Sequence, residues 1–175
     1  MKRTSLTVFA AVTATCVIAS TSFTTRGAND EASPIFGIEI PEGYRDWKLI
    51  SVAHEAGDLN DLRAILGNDV VTKAYREGKL PFPDGSIIAR LAWEYVPSEE
   101  NNKVFGRDQS FVAGRATNVQ FMVKDSKKYA ATGGWGFAQF QNGKPLGEAM
   151  LKTCFPCHEP SKANDYVFTR YAPNP

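Results

Sequence analysis

Apolar and polar residues alternate most cleanly between Ser86 and Val96, where Ile87, Ala89, Leu91, Trp93 and Tyr95 interleave with Ile88, Arg90, Ala92 and Glu94. A two-residue period is that of a strand whose side chains go to opposite faces of a sheet. The same period runs through Ala116 to Lys124, with Val119, Phe121 and Val123 on one side and Asn118, Gln120 and Met122 on the other. Gly134 to Gln141 alternates through Trp135 and Phe137 and runs into an Asn142-Gly143 turn signal. Shorter runs, Trp47 to Val52 and Leu62 to Leu66, read as two further strands. Between them and the strand from Ser86, a helical stripe of Val70, Val71, Ala74 and Tyr75 predicts a helix over Val70 to Glu77. Asn68 or Asp69 is placed to cap it and Gly78 to end it. Pro81, Pro83 and Asp84-Gly85 predict a turn, and Pro97 to Asp108, with its run of Glu99, Glu100, Asn101, Asn102 and Lys103, a polar loop. Pro145 to His158 predicts a helix that carries Pro145 in its first turn. Aromatic-rich strands at hairpin spacing with few helices make an α+β fold built on an antiparallel β-sheet.

The amino terminus follows a different pattern. Lys2 and Arg3 precede an uncharged run, Leu6 to Ala19, and small residues follow it before Arg26. This is the layout of a secretory signal peptide, and the run is shorter than the roughly 20 apolar residues of a membrane span. Cleavage after Ala19 and after Ser22 both fit, and an uncleaved anchor is the alternative. The expected organisation is a signal peptide over residues 1–22, a poorly ordered acidic lead-in over 23–43 with Pro34 and Pro41, and one domain over 44–175. The expected location is the periplasm.

Composition narrows the function. The chain has 175 residues, 43% of them apolar and 22% charged, which suits one domain with a buried core and excludes wholesale disorder. A net charge of +1 with no basic run excludes a nucleic-acid binder that works by charge. Removal of the signal takes Lys2, Arg3 and Cys16, so the balance becomes −1 and only Cys154 and Cys157 remain of the three cysteines. Both belong to one motif.

That motif is Cys154-Phe155-Pro156-Cys157-His158. Cys-x-x-Cys-His is the attachment signature of c-type haem, and its chance occurrence in a chain of this composition is on the order of one in a thousand. Two residues between the thiols let both reach one edge of the porphyrin, and the next residue brings its imidazole to the iron. Three rivals account for less. A structural zinc site takes four protein ligands, and beyond the motif only His54 remains among Cys and His. A thioredoxin-like dithiol needs much of its fold after the motif, whereas this motif lies close to the carboxyl end. A plain disulfide leaves His158 without a role.

No Met follows His158, so the sixth-ligand candidates are Met122, Met150 and His54. Core packing is the competing role for the two methionines, and a surface or capping role for the histidine. The resulting expectation is a five-coordinate iron with an open site.

Phe82-Pro-Asp-Gly-Ser, the strand Ile87 to Tyr95, the segment Val123-Lys-Asp-Ser-Lys, Cys154 to His158 and Asp165-Tyr-Val-Phe-Thr-Arg-Tyr together resemble the cytochrome P-460 family, which includes the cytochromes c′-beta. The resemblance runs from about Tyr44 to Pro173. It implies an antiparallel sheet domain, usually a homodimer, with one five-coordinate haem c per chain attached near the carboxyl end. It also implies hydroxylamine oxidation or the binding of nitric oxide and related gases. By position, Cys154 and Cys157 would hold the haem, His158 would be the axial iron ligand, and Arg170 would lie near its proximal side. As the alternative, Arg170 is an exposed strand-end residue.

Two departures bear on the activity that this resemblance implies. Hydroxylamine-oxidising members carry a lysine bonded to the porphyrin where this chain has Arg90, and a guanidinium is a poor nucleophile. An acidic residue near their distal pocket corresponds to Gln120, which cannot serve as a carboxylate base. Arg90 is either a donor to a bound ligand or a propionate, or a solvated partner of Glu94, and Arg63 is a weaker pocket candidate. Phe121 and Phe137 are expected to keep water from the site. The expected function is a c-type haem protein that binds a small ligand such as nitric oxide, with a redox partner protein possible in principle. The alternatives are a redox enzyme acting on hydroxylamine or related nitrogen compounds, and a simple electron-transfer cytochrome.

Overall fold

The computed structural model describes residues 31–172. The expected signal peptide, and the lead-in as far as residue 30, lie outside the described residues. Six strands follow one another as antiparallel neighbours in the order of the chain. They are β1 (Lys48–Glu55), β2 (Asp61–Gly67), β3 (Ile87–Pro97), β4 (Phe111–Lys124), β5 (Trp135–Gln141) and the short β6 (Lys144–Pro145). Helix α1 (Asp69–Arg76) lies between β2 and β3, and α2 (Glu99–Phe105) between β3 and β4. Helices α3 (Glu148–Leu151) and α4 (Cys154–His158) follow the sheet. The α+β fold with an antiparallel sheet is the one that the alternation predicts.

Register turns alternation into two surfaces. Ile65, Arg90, Gln120 and Gln139 are partners in one row across β2 to β5. One residue away, Leu66, Ala89, Phe121 and Ala138 form the next row, whose side chains point to the opposite face. Each face has its own apolar cluster. One contains Ile65, Ile88, Trp135 and Phe137 with Val71, Ala74 and Val167, and the other Leu66, Ala89, Leu91, Phe121, Ala138 and Phe140. Burying a large side chain such as Phe121 or Phe140 contributes about 1.5–3 kcal/mol relative to leaving it exposed.

Local chemistry sets the helix ends. The Asn68 side chain accepts from Val71 N at 3.1 Å and so caps α1, whose buried residues are Val71, Thr72 and Ala74. The stretch expected as a polar loop instead contains α2. Ser98 caps it, Glu99 and Glu100 fill its first turn, and Gly106 ends it in the left-handed conformation. Its only buried residue is Asn102, so no apolar stripe marks it in the sequence.

Two further expectations change. Residues 31–43, expected to be poorly ordered, are held against the sheet. Ser33 and Ile38 are buried, Ser33 donates to Phe137 O at 3.3 Å, and the Phe36 ring meets those of Tyr129 and Phe137 at 5.7 and 5.8 Å. The helix expected over Pro145 to His158 is two short helices. Pro145 is spent in β6, and the Thr153 hydroxyl takes the Met150 carbonyl at 2.7 Å, offering the backbone an alternative to continuing the turn. Among the described residues, no helix is long and apolar enough to cross a membrane.

Candidate functional site

The motif residues occupy a single turn. Cys154 and Cys157 stand three apart on α4, which puts both thiols on one side of the helix, and neither is in a disulfide. Burial and the neighbouring Cys157 push the Cys154 thiol up, so it is protonated at neutral pH. Among the described residues, no group of three or more His, Cys, Asp or Glu side chains is arranged to hold a bare metal ion.

His158 is half-buried, and its Nδ1 lies 2.7 Å from the Tyr166 carbonyl oxygen. A carbonyl only accepts, so the hydrogen bond assigns the proton to Nδ1 and leaves Nε2 with a free lone pair. Burial holds the imidazole pKa below its ordinary value of 6.5; the Arg90 charge acts in the same direction, and the Tyr166 carbonyl opposes both. The ring is therefore neutral at physiological pH, the form that ligates a metal. Phe137 and Phe168 flank it, with ring centroids at 5.1 and 4.8 Å.

Arg90 lies on this same face. Its Nη2 donates to Asn118 Oδ1 at 2.9 Å, while its Nε is buried with no partner. Burial, with Arg63 nearby, pushes its pKa down to about 10, against the pull of Asp61 and Glu55, so it stays charged at neutral pH. The expected alternative of an Arg90–Glu94 pair is not formed, because Glu94 pairs with Arg115. Gln120, opposite Arg90, donates through Nε2 to Gln139 Oε1 at 2.7 Å. Arg63 holds Asp61 at 2.7 Å and Glu55 at 3.0 Å, so these two carboxylates are engaged, as is Glu94 on the same face through Arg115.

The remaining candidates separate. Arg170 is exposed, two residues beyond Phe168 in a tail fixed to α1, where Tyr75 donates to Thr169 O at 3.0 Å. Met122 is partly buried against the cluster of Phe137 and Ile88. Met150, expected in the core, is 49% exposed, and it is its neighbour Leu151 that α3 buries. His54 is exposed, bonds Asn60 at 3.2 Å and stacks on Tyr95 at 4.0 Å. Register pairs it with Leu62, on the face away from His158. Phe121 does not guard the site. It lies on the opposite face, with Tyr44 and Phe140 edge-on at 5.2 and 5.9 Å. Phe137 alone of the expected pair adjoins His158.

Four contributors were not among the sequence candidates. Asn118 follows from carrying the two-residue period along β4 from Gln120, and Gln139 from carrying it along β5 from Phe137. Phe168 lies outside any periodic segment, and the Tyr166 carbonyl is backbone and carries no residue signal.

A family model described as Cytochrome P460 matches residues 41–169, which is most of the chain. The chain belongs to the cytochrome P460 family. A search of curated proteins returns no match. Membership implies a haem cofactor and hence an iron-binding protein. The residues present fit such a group. The neutral imidazole offers a free Nε2, two unbridged thiols stand beside it, aromatic rings surround it, and the buried Arg90 Nε is a donor in need of an acceptor.

Proposed function

We propose that this cytochrome P460 family protein is an exported monohaem c-type cytochrome that binds a small ligand such as nitric oxide at an open iron position. Cys154 and Cys157 would hold the haem by thioether bonds, and His158 would ligate the iron through Nε2. When bound, the haem supplies an iron with one free face and a one-electron couple. The observation that carries the reading is the His158 Nδ1 contact to Tyr166 O at 2.7 Å, which fixes the tautomer and the ring while leaving Nε2 free.

The chain's other residues decide what the site can do. Arg90 keeps a proton at Nε and can donate it to a ligand oxygen or a propionate, but it cannot give that proton up at neutral pH. Gln120 has no basic lone pair and is tied to Gln139. Asp61 and Glu55 are paired with Arg63. With the Asp61 and Glu55 carboxylates paired and a glutamine at position 120, the described sheet face around Arg90 suits reversible ligand uptake better than the proton removal that hydroxylamine oxidation requires. Phe137, itself buried, packs against the imidazole, and the exposed Phe168 ring lies beside it. The periplasmic location rests on the pattern from Lys2 to Ala19, and the homodimer on the family resemblance.

Absorption spectra of the purified haem-loaded protein, ferric and ferrous, with and without nitric oxide, test the proposal. The expected result is a high-spin five-coordinate ferrous spectrum that shifts on stoichiometric addition of nitric oxide, with no steady consumption of hydroxylamine. A low-spin six-coordinate spectrum in both oxidation states would favour electron transfer instead. Sustained hydroxylamine turnover would establish the enzyme.

A further inference from the structure

The Tyr166 carbonyl that holds His158 belongs to an unusual piece of backbone. Asp165 and Tyr166 both have positive φ, 50° and 65°, and neither is glycine. Residues with side chains persist in the left-handed region only where their surroundings dictate it. Here the surroundings are a buried ion pair. Lys124, at the end of β4, is 6% exposed and donates to Asp165 Oδ1 at 2.8 Å, to Asp165 Oδ2 at 2.9 Å and to Gly133 O at 3.1 Å. The backbone N–H of Phe82 donates to the same Oδ2 at 2.9 Å. Lys124 also lies over the Trp135 ring, 5.0 Å from its centroid.

From the other side the Tyr166 ring is seated on Gly133, where an added Cβ would come within 2.2 Å of the ring. The chain at Asp165 and Tyr166 is therefore clamped twice, once through the Asp165 carboxylate and once through the Tyr166 ring. The carbonyl immediately after these two clamps accepts from His158 Nδ1. Burying two charges is a weak way to add stability, because the lost hydration offsets much of their attraction. A fixed direction for one backbone group is something that such a pair does supply.

We propose that Lys124 and Asp165 are positioning residues for the axial imidazole, fixing the Tyr166 carbonyl and through it the orientation and basicity of His158. This rests on the reading of His158 as the iron ligand. A firm acceptor at Nδ1 makes an imidazole a stronger donor to iron, so loosening that acceptor weakens the iron–histidine bond and favours the ferrous state.

The test uses the haem-loaded protein with Lys124→Met and Asp165→Asn, read by the iron–histidine stretching band in resonance Raman, the reduction potential and the melting temperature. Lys124→Met leaves the Asp165 charge buried without its cation. It is expected to lower and broaden the band and raise the potential, and Lys124→Arg to restore part of both. Asp165→Asn, isosteric and tolerant of the left-handed conformation, is expected to shift both in the same direction by less. If Lys124→Met does not accumulate, Asp165→Asn decides by the same criterion. Variants that melt earlier yet keep the wild-type band and potential would overturn the proposal and leave a purely structural pair. A wild-type protein with no iron–histidine band would instead overturn the axial reading itself.

Discussion

Two rows of side chains one residue apart on the same strands show how differently this sheet uses its faces. Leu66, Ala89, Phe121 and Ala138 form a row with no polar side chain, and the first residues of the described chain, Phe36 to Trp47, pack over it. Ile65, Arg90, Gln120 and Gln139 form the row behind it, where three of four side chains are polar. Neither face is simply solvated. Arg90 is buried enough to lower its pKa and keeps one donor unmatched, a cost that a plain core would not carry. The first row is apolar throughout. The second gives up some stability to present charge and hydrogen bonds beside a neutral imidazole.

The largest effect should come from breaking the apolar row. Phe121→Ala removes a ring that is 1% exposed and should lower stability by about 3–5 kcal/mol, measured by denaturant unfolding. Nitric oxide affinity of the protein that remains folded should be unchanged. A large affinity change with little loss of stability would mean that the two faces have been assigned the wrong way round.

Arg90→Met sharpens the comparison from the other side. It removes the charge and both kinds of donor but keeps an unbranched apolar stem, so stability should change by less than in Phe121→Ala. Loss of a charged hydrogen bond to ligand or propionate corresponds to about 1.5–3 kcal/mol, roughly tenfold or more in ligand affinity or a matching shift in reduction potential. Stopped-flow release of nitric oxide together with redox titration would measure both. No change in either would return Arg90 to a structural partner of Asn118.

The sequence makes the strands legible because a two-residue period survives wherever each face is half-buried, as in Ile87 to Tyr95 and Val119 to Val123. It also exposes the haem motif, since Cys154, Cys157 and His158 are contiguous. What the period cannot tell is which face will carry the site. Phe121 and Phe137 look equivalent along the chain, and only register and the return of α4 beneath the sheet separate them. Helix α2 buries no apolar side chain, since its Val104 and Phe105 are exposed, so its legible signals are the caps Ser98 and Gly106. At the break before α4 the Met150 carbonyl takes both the hydroxyl and the backbone N–H of Thr153, a local closure that no periodicity announces. The hold on His158 is the hardest part to read in advance. It combines a backbone carbonyl, two left-handed residues and an ion pair whose members are 41 positions apart.

The most direct test of the account is whether the haem is bonded to the chain through Cys154 and Cys157. The mature protein, produced with a haem-attachment apparatus, would be extracted with acidified acetone, and the alkaline pyridine spectrum of the polypeptide recorded beside its intact mass. The account predicts haem retained by the polypeptide, a spectrum with both vinyl groups saturated, a mass increased by one haem, and loss of all three in the Cys154→Ala, Cys157→Ala double variant. A haem that extracts freely, or a colourless polypeptide whose two thiols cycle with a disulfide, would contradict it.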